Sequence, residues 1–520
     1  MSGQRTGQIS DNSRRIARNT LALYFRMFLL MAIGLFTARI VLNALGVEDR
    51  GVYETVGSFV SMMAIITSSL STAISRFLTV EIGKSNAGNL RRVFSTAVTI
   101  MLLVSAVVLL VAEPVGLWYM DNVMRLPDGR LAAAHWVFQF SLLTFVINLL
   151  SVPYNAAIIA HERMSAFAVI GVLEGVFKLL VALILMVTPF DKLVSYALLM
   201  CGVSLMIRFI YTVYCRHFFE ESRVGAGFDK AYFRQMFGFA GWNGLSYGVY
   251  LVNTQGVTLL VNYFFGVVFN TMRGIAFNVE NMVKQFVSNV LTAMNPQITK
   301  SYVTDNKEYS YSLACKGSKY AFLIVFILAL PFLFEAESLL VLWLGPLVPE
   351  GTALFTRLAL AGLCLDLLMT PFSTIIQASG NIRRFYLVTS SVTFLIFPLT
   401  WIIYKTGAPA YSCYLVFAAV YLVNDVVKLW LLRRQVGLPV MMFVKEVAFK
   451  ILPVAVLSLL VTFLVWRVFD AGVWRLLTVL VVGTLVTCLT VYLFALTDGE
   501  RGFVNSRLHF KRHGNKKANL

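Results

Sequence analysis

A stripe of polar and charged side chains runs through an apolar stretch near the middle of the chain. Its members recur at steps of three, four or seven, so a helix would place on one face Asn270, Arg273, Glu280, Lys284, Ser288, Thr292 and Asn295. At ~1.5 Å per residue the stripe is roughly 37 Å long, enough to cross a hydrocarbon core of about 30 Å. A charge at bilayer depth costs on the order of 2.5–3.5 kcal/mol, so these charges should face protein or water. The stripe therefore predicts a membrane-crossing helix that borders a cavity.

A second polar stripe lies on the apolar stretch 52–80 and consists of Glu54, Ser58, Ser61, Ser68, Thr72 and Ser75. It matches the first stripe at an offset of about 220 residues, where Thr72 corresponds to Thr292. Pro153 corresponds to Pro371 at nearly the same offset. A repeat of that length contains six helices, which gives both copies the same orientation in the membrane. Chance similarity between apolar segments is the alternative explanation.

The informative charged side chains within apolar segments are Arg26, Arg39, Arg76, Glu174, Lys178, Arg208, Arg273, Glu280, Lys284, Asp366, Asp425 and Lys428. Three pairs have spacings that allow an ion pair within one helix: Glu174–Lys178, Glu280–Lys284 and Asp425–Lys428. Asp366 is a lone acid that could bind a proton or a cation, or could pair with an arginine of another helix. Asp366 and Glu174 are the candidates for a coupling-ion site.

Arg26, Arg39 and Arg273 have no acidic neighbour at helical spacing. A guanidinium keeps its charge at depth and can bind two phosphate oxygens at once. A cavity that contains such arginines suits an anionic, phosphorylated ligand. Arg76 lies near a cytoplasmic helix end, where a side chain that reaches to the membrane surface is the simpler explanation.

The composition indicates a polytopic membrane protein. Of the 520 residues 58% are hydrophobic and 13% are charged, and no soluble domain has that balance. The net charge of +18 lies in short loops between apolar segments, which favours positively charged cytoplasmic loops over nucleic-acid binding. The six cysteines and five histidines show no metal-ligand or catalytic spacing, and no phosphate-binding loop is present. We therefore expect no metal, no cofactor and no enzymatic activity. We also expect a transport process driven by an ion gradient, the membrane potential or a substrate gradient.

Fourteen apolar runs of about 20 residues are expected to span the membrane. They lie at 20–45, 52–80, 93–115, 134–160, 165–187, 192–215, 235–263, 268–297, 318–344, 353–379, 384–405, 409–432, 447–467 and 474–496. With the N-terminus inside, the inner segments contain roughly four times as many Lys and Arg residues as the outer loops. Both termini are therefore expected in the cytoplasm.

The predicted fold class is all-α and polytopic, with two parallel six-helix repeats and two extra C-terminal helices. Its parts are a cytoplasmic N-terminal tail at 1–19, a six-helix bundle at 20–215, a cytoplasmic linker at 216–234, a second six-helix bundle at 235–432, helices 13 and 14 within 447–496, and a basic cytoplasmic tail at 497–520.

Three segments carry a resemblance to a known family. They read NTLALYFRMFLLMAIGLFTARIVLNALGVEDRGVYETVGSFVSMM, AISRFLTVEIGK and AMNPQITKSY. They resemble the polysaccharide flippases of bacterial O-antigen and capsule clusters, members of the multidrug/oligosaccharidyl-lipid/polysaccharide (MOP) exporter superfamily. The resemblance covers essentially the whole chain, and its motifs mark the family well and the substrate poorly.

This resemblance implies MATE-like bundles that form a V around a central cavity. It implies that an undecaprenyl-diphosphate-linked oligosaccharide moves from the cytoplasmic to the periplasmic leaflet of the bacterial inner membrane by alternating access. The resemblance also implies that positively charged residues of the cavity contact the diphosphate, and by position the candidates here are Arg26, Arg39, Arg273 and Arg76. The polar lining of the cavity would comprise Glu54, Ser58, Ser61, Asn270, Glu280, Lys284, Ser288 and Asn295. Membrane lipids and a proton or sodium gradient are the other expected partners.

Three other functions remain open at this point. A multidrug/cation antiporter of the same superfamily usually has 12 helices and an acid in its first helix, where this chain has Arg26 and Arg39. A lipid II flippase shares the 14-helix layout and the arginine-rich cavity. A membrane polymerase or ligase would need a large outer loop with catalytic residues, and the longest outer loop, 116–133, contains no such cluster.

Overall fold

The chain is all-helical in the computed structural model, which describes residues 2–84, 87–161, 163–223, 227–380, 382–502 and 505. Side chains are described in the same ranges except at 2–26, 65, 66, 68, 83, 239–246, 293 and 296. No strand occurs among these residues. The predicted all-α fold class is therefore confirmed.

The first six helices are α1 (Ser2–Met62), α2 (Ala64–Gly83), α3 (Ala87–Asn122), α4 (Leu131–Ala160), α5 (Met164–Val187) and α6 (Lys192–Phe218). Helix α1 begins within the predicted N-terminal tail and contains a break at Gly46, where φ is 79° and ψ is −179°. This conformation is strained for any residue with a Cβ atom, so it favours glycine. The break separates the two spans that the sequence predicts at 20–45 and 52–80.

The next nine helices are α7 (Lys230–Leu251), α8 (Val257–Phe265), α9 (Val267–Val303), α10 (Lys307–Leu344), α11 (Thr352–Asp366), α12 (Thr370–Ser379), α13 (Ile382–Phe394), α14 (Ile396–Lys405) and α15 (Ser412–Val436). A π-helical turn, Val252–Gly256, connects α7 to α8. The last three helices are α16 (Val440–Phe443), α17 (Phe449–Val468) and α18 (Val473–Thr490). Two further π-helical turns, Val444–Ala448 and Val491–Ala495, precede α17 and follow α18.

The predicted repeat recurs in the backbone. Gly46 interrupts α1, and Gly266, which lies about 220 residues later, separates α8 from α9 with nearly the same φ of 87° and ψ of −175°. Helices α3 and α10 begin at Ala87 and Lys307, again about 220 residues apart. The same backbone conformation at the same offset supports the repeat, because chance similarity of apolar segments would not reproduce a left-handed glycine.

Eleven helical segments of the described part are long and apolar enough to cross a membrane. Helix α9 is not among them, which agrees with the polar stripe that it carries. One of the eleven, Met27–Met62, includes residues of two predicted spans because it continues across the break in α1. The protein is therefore a multi-pass membrane protein, while the number of 14 spans remains a prediction.

The chain forms two compact units, and the predicted domain boundaries remain a prediction. Unit 1 comprises Met1–Gly274, Trp343–Pro349 and Phe397–Ala410; unit 2 comprises Ile275–Leu342, Glu350–Ile396 and Tyr411–Leu520. The core of unit 1 contains the fully buried rings of Phe94 and Phe138. Unit 2 has its own core, in which Phe372 and Phe385 are buried.

Two ion pairs connect the C-terminal helices of unit 2 to α10. Lys319 on α10 is 1% exposed and donates hydrogen bonds to the carbonyl of Ala495 at 2.8 Å and to Glu500 Oε2 at 3.0 Å. Further along α10, Glu335 Oε1 accepts from Arg475 Nε at 2.5 Å. Since Arg475 lies in the first turn of α18 and Ala495 follows its end, α10 binds both ends of this helix.

Candidate functional site

In unit 1 the first two turns of α9 pack against the part of α1 that follows its break. We call this contact the α1–α9 seam and define it by Val47, Gly51, Thr55, Asn270, Thr271 and Gly274. Asn270 is fully buried, and its Nδ2 donates to Thr55 Oγ1 at 2.5 Å. Thr271 Oγ1 donates to the carbonyl of Val47 at 2.6 Å. Hydrogen bonds between neutral groups therefore join the two helices across the seam, while Asn270 Oδ1 is buried and has no hydrogen-bond partner among the described residues.

Two glycines allow the close approach of α1 and α9. A Cβ atom on Gly51 would overlap the carbonyl group of Val267. A Cβ atom on Gly274 would lie 3.0 Å from the carboxyl group of Glu54. The obstacle at Gly51 is backbone, which cannot move aside as a flexible side chain can. The backbone of α9 therefore leaves room only for glycine at position 51.

Arg273 lies on α9 between the seam residues Thr271 and Gly274 and is 5% exposed. Its Nε donates to Thr258 Oγ1 at 3.1 Å, and one terminal nitrogen donates to the carbonyl of Thr254 at 3.0 Å. Thr254 belongs to the π-helical turn and Thr258 to α8. The guanidinium is thus fixed in position by the segment that precedes α9, and it also takes part in further contacts.

Arg50 is a buried arginine that the sequence analysis did not select, because it falls in the predicted loop between the first two spans. It is 5% exposed and donates to the carbonyl of Ala38 at 3.1 Å, across the break in α1. Its Nε lies 3.9 Å from Glu54 Oε1. The i,i+4 spacing of Arg50 and Glu54 was the signal that could have identified the pair.

The other predicted arginines have different surroundings. The side chain of Arg26 lies outside the described residues. Arg39 on α1 and Arg76 on α2 are both exposed. Arg76 lines a cavity of unit 1, while Ser58 of the predicted polar lining is buried and Ser61 is half-buried.

The polar stripe of α9 continues into unit 2. Lys284 Nζ donates to Asp366 Oδ2 on α11 at 2.8 Å. Asn295 Oδ1 accepts from Thr374 Oγ1 at 3.0 Å. Glu280 is half-buried, and Ser288 is exposed. The stripe predicted as one face of one helix is therefore divided, with Asn270 and Arg273 in unit 1 and the later members in unit 2.

Asp366 belongs to a group of charges in unit 2 that we call the charge cluster: Lys284, Asp366, Asp425 and Lys428. Lys428 Nζ donates to Asp425 Oδ1 at 3.2 Å, and Lys428 also acts electrostatically on Asp366. The second carboxylate oxygen of Asp425 is buried and has no hydrogen-bond partner among the described residues. Two acids and two bases from α9, α11 and α15 thus form a group without formal net charge.

Glu174, the other candidate for a coupling-ion site, pairs with Lys178 on α5. Lys178 Nζ donates to Glu174 Oε1 at 2.6 Å, and the two side chains are 42% and 39% exposed. The ion pairs that helical spacing predicts for Glu174–Lys178 and Asp425–Lys428 therefore both form. Asp366, by contrast, binds a residue of another helix, and that residue is a lysine where the sequence suggested an arginine.

At the N-terminal ends of α4 and α6, Arg130 bridges two carboxylates. It binds Asp49 on α1 and, at 2.5 Å, Asp191 before α6. Burial alone would raise the pKa of Asp191. Hydrogen bonds from the backbone N–H of Val194 and from Arg130 outweigh that effect and lower it. Arg130 lies in the outer loop that sequence analysis found to contain no catalytic cluster, and it connects three helices of unit 1.

The helical fold is similar to that of several solved membrane-transporter structures. No protein-family model matches the sequence, and no curated protein matches it. Solved structures do match over most of the chain, at sequence identities that establish the fold alone.

One of these structures is the lipid II flippase MurJ in an inward closed conformation. It has a TM-score of 0.68 and 12% identity, and the match covers 92% of this chain and 98% of that one. Another is an inward-facing multidrug resistance MATE family transporter of the MOP superfamily, with a TM-score of 0.64, 13% identity and coverage of 78% and 95%. A MOP superfamily transporter from Pyrococcus furiosus has a TM-score of 0.58, 14% identity and coverage of 81% and 96%.

Proposed function

We propose that this protein is a flippase for lipid-linked oligosaccharides. It moves undecaprenyl-diphosphate-linked polysaccharide repeat units from the cytoplasmic to the periplasmic leaflet by alternating access, and it has no enzymatic activity. It lies in the bacterial inner membrane with both termini in the cytoplasm. The excess of Lys and Arg in alternate loops supports that orientation.

The extent of the match to the lipid II flippase supports a flippase, and the resemblance of the three sequence segments to polysaccharide flippases supports the repeat-unit substrate. A match of 92% of 520 residues covers about 478 residues, more than the 436 that precede the end of α15. The match therefore includes part of the segment that contains α16, α17 and α18. The matches to the two transporters cover 78% and 81% of the chain and need not include it. The additional C-terminal helices favour a flippase over a drug antiporter.

We assign the diphosphate contacts to Arg26, Arg39, Arg273 and Arg76. Of these, Arg273 has the most defined geometry, because α8 and the π-helical turn fix its guanidinium. A fixed guanidinium loses little conformational entropy when it binds a phosphate, which favours binding.

The coupling ion, a proton or sodium, is assigned to Asp366 or to Glu174. Each carboxylate binds a lysine, Lys284 in one case and Lys178 in the other. An incoming cation would compete with that ammonium group, so release of the lysine would accompany ion binding. Exchange of this kind couples ion binding to a change in helix packing.

The function is tested by replacing Arg273. In a bacterium whose surface glycan depends on this protein, Arg273→Ala should abolish glycan export and cause lipid-linked oligosaccharide to accumulate on the cytoplasmic leaflet. Arg273→Lys should restore part of the export if charge alone suffices, and none if bidentate binding is required. Arg234→Ala, at an exposed site on α7, is the matched control. Normal export by a membrane-inserted Arg273→Ala variant would remove Arg273 from the site.

A lipid II flippase is the second candidate, because the match to MurJ has the highest TM-score of the three comparisons above. The two functions predict different phenotypes when the gene is deleted. Deletion of a lipid II flippase would stop peptidoglycan synthesis, whereas deletion of a repeat-unit flippase would remove the surface glycan and leave growth intact. Rescue of a strain depleted of its lipid II flippase would replace the first proposal by the second.

A further inference from the structure

Unit 1 contains a cavity of about 840 Å³ between the C-terminal end of α2 and the N-terminal ends of α3 and α7. Three cations and one acid line it, Arg76, Lys84, Arg92 and Glu81, and they leave a formal charge of +2. Its volume is in the range of pockets that bind small molecules. Arg92 falls in a predicted loop, so the pattern of charges within apolar segments indicated Arg76 alone.

The negative charge of the acid in the cavity is balanced by a neighbouring lysine. Glu81 is 3% exposed, and its Oε1 accepts from Lys84 Nζ at 2.8 Å. That hydrogen bond raises the pKa of Lys84, so the ammonium group stays charged. Glu81 thus positions Lys84 at the cavity, and the excess positive charge comes from Arg76 and Arg92.

One wall of the cavity is apolar. Phe77 and Tyr232 meet edge to face with ring centroids 6.4 Å apart, and Val80 is 42% exposed. The amide side chains of Asn89 and Gln235 complete the lining. Cationic groups, amides and an apolar wall in one cavity suit a ligand that carries phosphate at one end and hydrocarbon at the other.

We propose that this cavity binds the phosphate-bearing headgroup of a membrane lipid, with the hydrocarbon chain directed along Val80. The loop between α2 and α3 and the segment before α7 are predicted to be cytoplasmic, so the lipid would come from the inner leaflet. Basic pockets at that face attract anionic lipid headgroups. The lipid is either the diphosphate-linked substrate, in which case this inference rests on the proposed function, or an anionic phospholipid.

The test measures equilibrium binding to the full-length protein purified in detergent. The probes are farnesyl diphosphate, phosphatidylglycerol and inorganic diphosphate. The variant Arg76→Gln/Arg92→Gln should weaken the binding of farnesyl diphosphate about tenfold, because two charge-assisted contacts are lost. Both residues are exposed, so the thermal midpoint should not change. Arg234→Gln, which removes an exposed arginine next to Gln235 but outside the lining, should bind like the wild type.

The three probes separate the sources of phosphate. A loss confined to farnesyl diphosphate assigns the cavity to a prenyl diphosphate, and an equal loss for phosphatidylglycerol assigns it to anionic lipids in general. Unchanged binding of both lipids by the double variant overturns the proposal. Inorganic diphosphate that binds as tightly as farnesyl diphosphate also overturns it, because the hydrocarbon chain would then contribute nothing. Unchanged binding would also remove Arg76 from the diphosphate contacts assigned above. It would leave the export test at Arg273 unaffected, so failure of this inference and failure of the proposed function can be told apart.

Discussion

The α1–α9 seam of unit 1 and the charge cluster of unit 2 place polar groups in membrane helices in two different ways. The seam joins neutral groups, such as Asn270 with Thr55, over a backbone contact that only glycine permits. The cluster joins charged groups, such as Lys284 with Asp366, whose side chains are 28% and 27% exposed. The stability of the seam therefore depends on the close fit of two backbones, and the stability of the cluster depends on the balance of its charges.

This difference has consequences for transport. Neutral hydrogen bonds in a tight backbone contact respond little to pH or ions, so the seam suits a fixed part of the protein. Ion pairs between helices change strength when a proton or cation binds one partner, so the charge cluster suits a part that responds to a gradient. The comparison predicts that shape changes disrupt unit 1 and that charge changes disrupt unit 2.

The largest expected effect is at Gly51. The substitution Gly51→Ala should lower the free energy of unfolding by about 3 kcal/mol, because its Cβ would overlap the carbonyl group of Val267. The thermal midpoint of the purified protein in detergent measures this effect. Gly57→Ala, on the same helix with no atom within 4 Å of its Cβ, is the control and should be neutral or slightly stabilising. Equal midpoints for the two variants would show that the seam is not tightly packed.

A double-mutant cycle at Lys284 and Asp366 tests the charge cluster. Asp366→Asn alone should cost about 2 kcal/mol, since it leaves Lys284 without its carboxylate in a partly buried site. The interaction energy from the cycle with Lys284→Met should be about 1–2 kcal/mol. The same cycle at Glu174 and Lys178, which are about 40% exposed, should give about 0.5 kcal/mol or less. An interaction energy at Lys284–Asp366 no larger than that of the control would mean that the cluster contributes little to helix packing.

Much of the fold could be predicted because the sequence patterns that indicate it lie within single helices. Apolar runs identified the helices, and matched polar positions such as Thr72 and Thr292 identified the repeat, which the glycines at 46 and 266 then supported. Ion pairs within one helix, such as Glu174–Lys178, followed from their spacing. These features depend only on the geometry of a single helix.

The pairing between helices could not be predicted. Lys284 binds Asp366 on α11, and spacing within one helix does not indicate this pair. Arg50 was missed because a hydropathy pattern ends a span where the structure has only a break in the helix. Such contacts depend on how helices cross, and one sequence contains no signal for crossing geometry.

The smallest expected effect uses pH to test an ion pair of unit 2 that lies beyond the last span. Burial alone would raise the pKa of Glu500. Hydrogen bonds from Tyr320, from the Thr497 N–H and from Lys319 outweigh that effect and lower it to about 2. Because the pKa is lower in the folded state, ionised Glu500 contributes stability that is complete above the ordinary glutamate pKa of about 4.3. That stability is lost as the pH falls through about 2.

Comparison of the wild type with Glu500→Gln isolates this contribution. At pH 6 the variant should be less stable by about 1 kcal/mol, and the difference should shrink as the pH falls from about 4 towards 2. Asp470→Asn, at an exposed acid between α17 and α18, should follow the wild-type curve throughout. A difference that stays constant with pH would mean that Glu500 acts through packing, and charge dependence would then not extend from the cluster to this ion pair. A difference that shrinks as expected would show that charge also stabilises the contact of α10 with the C-terminal helices, where the buried Lys319 binds Glu500.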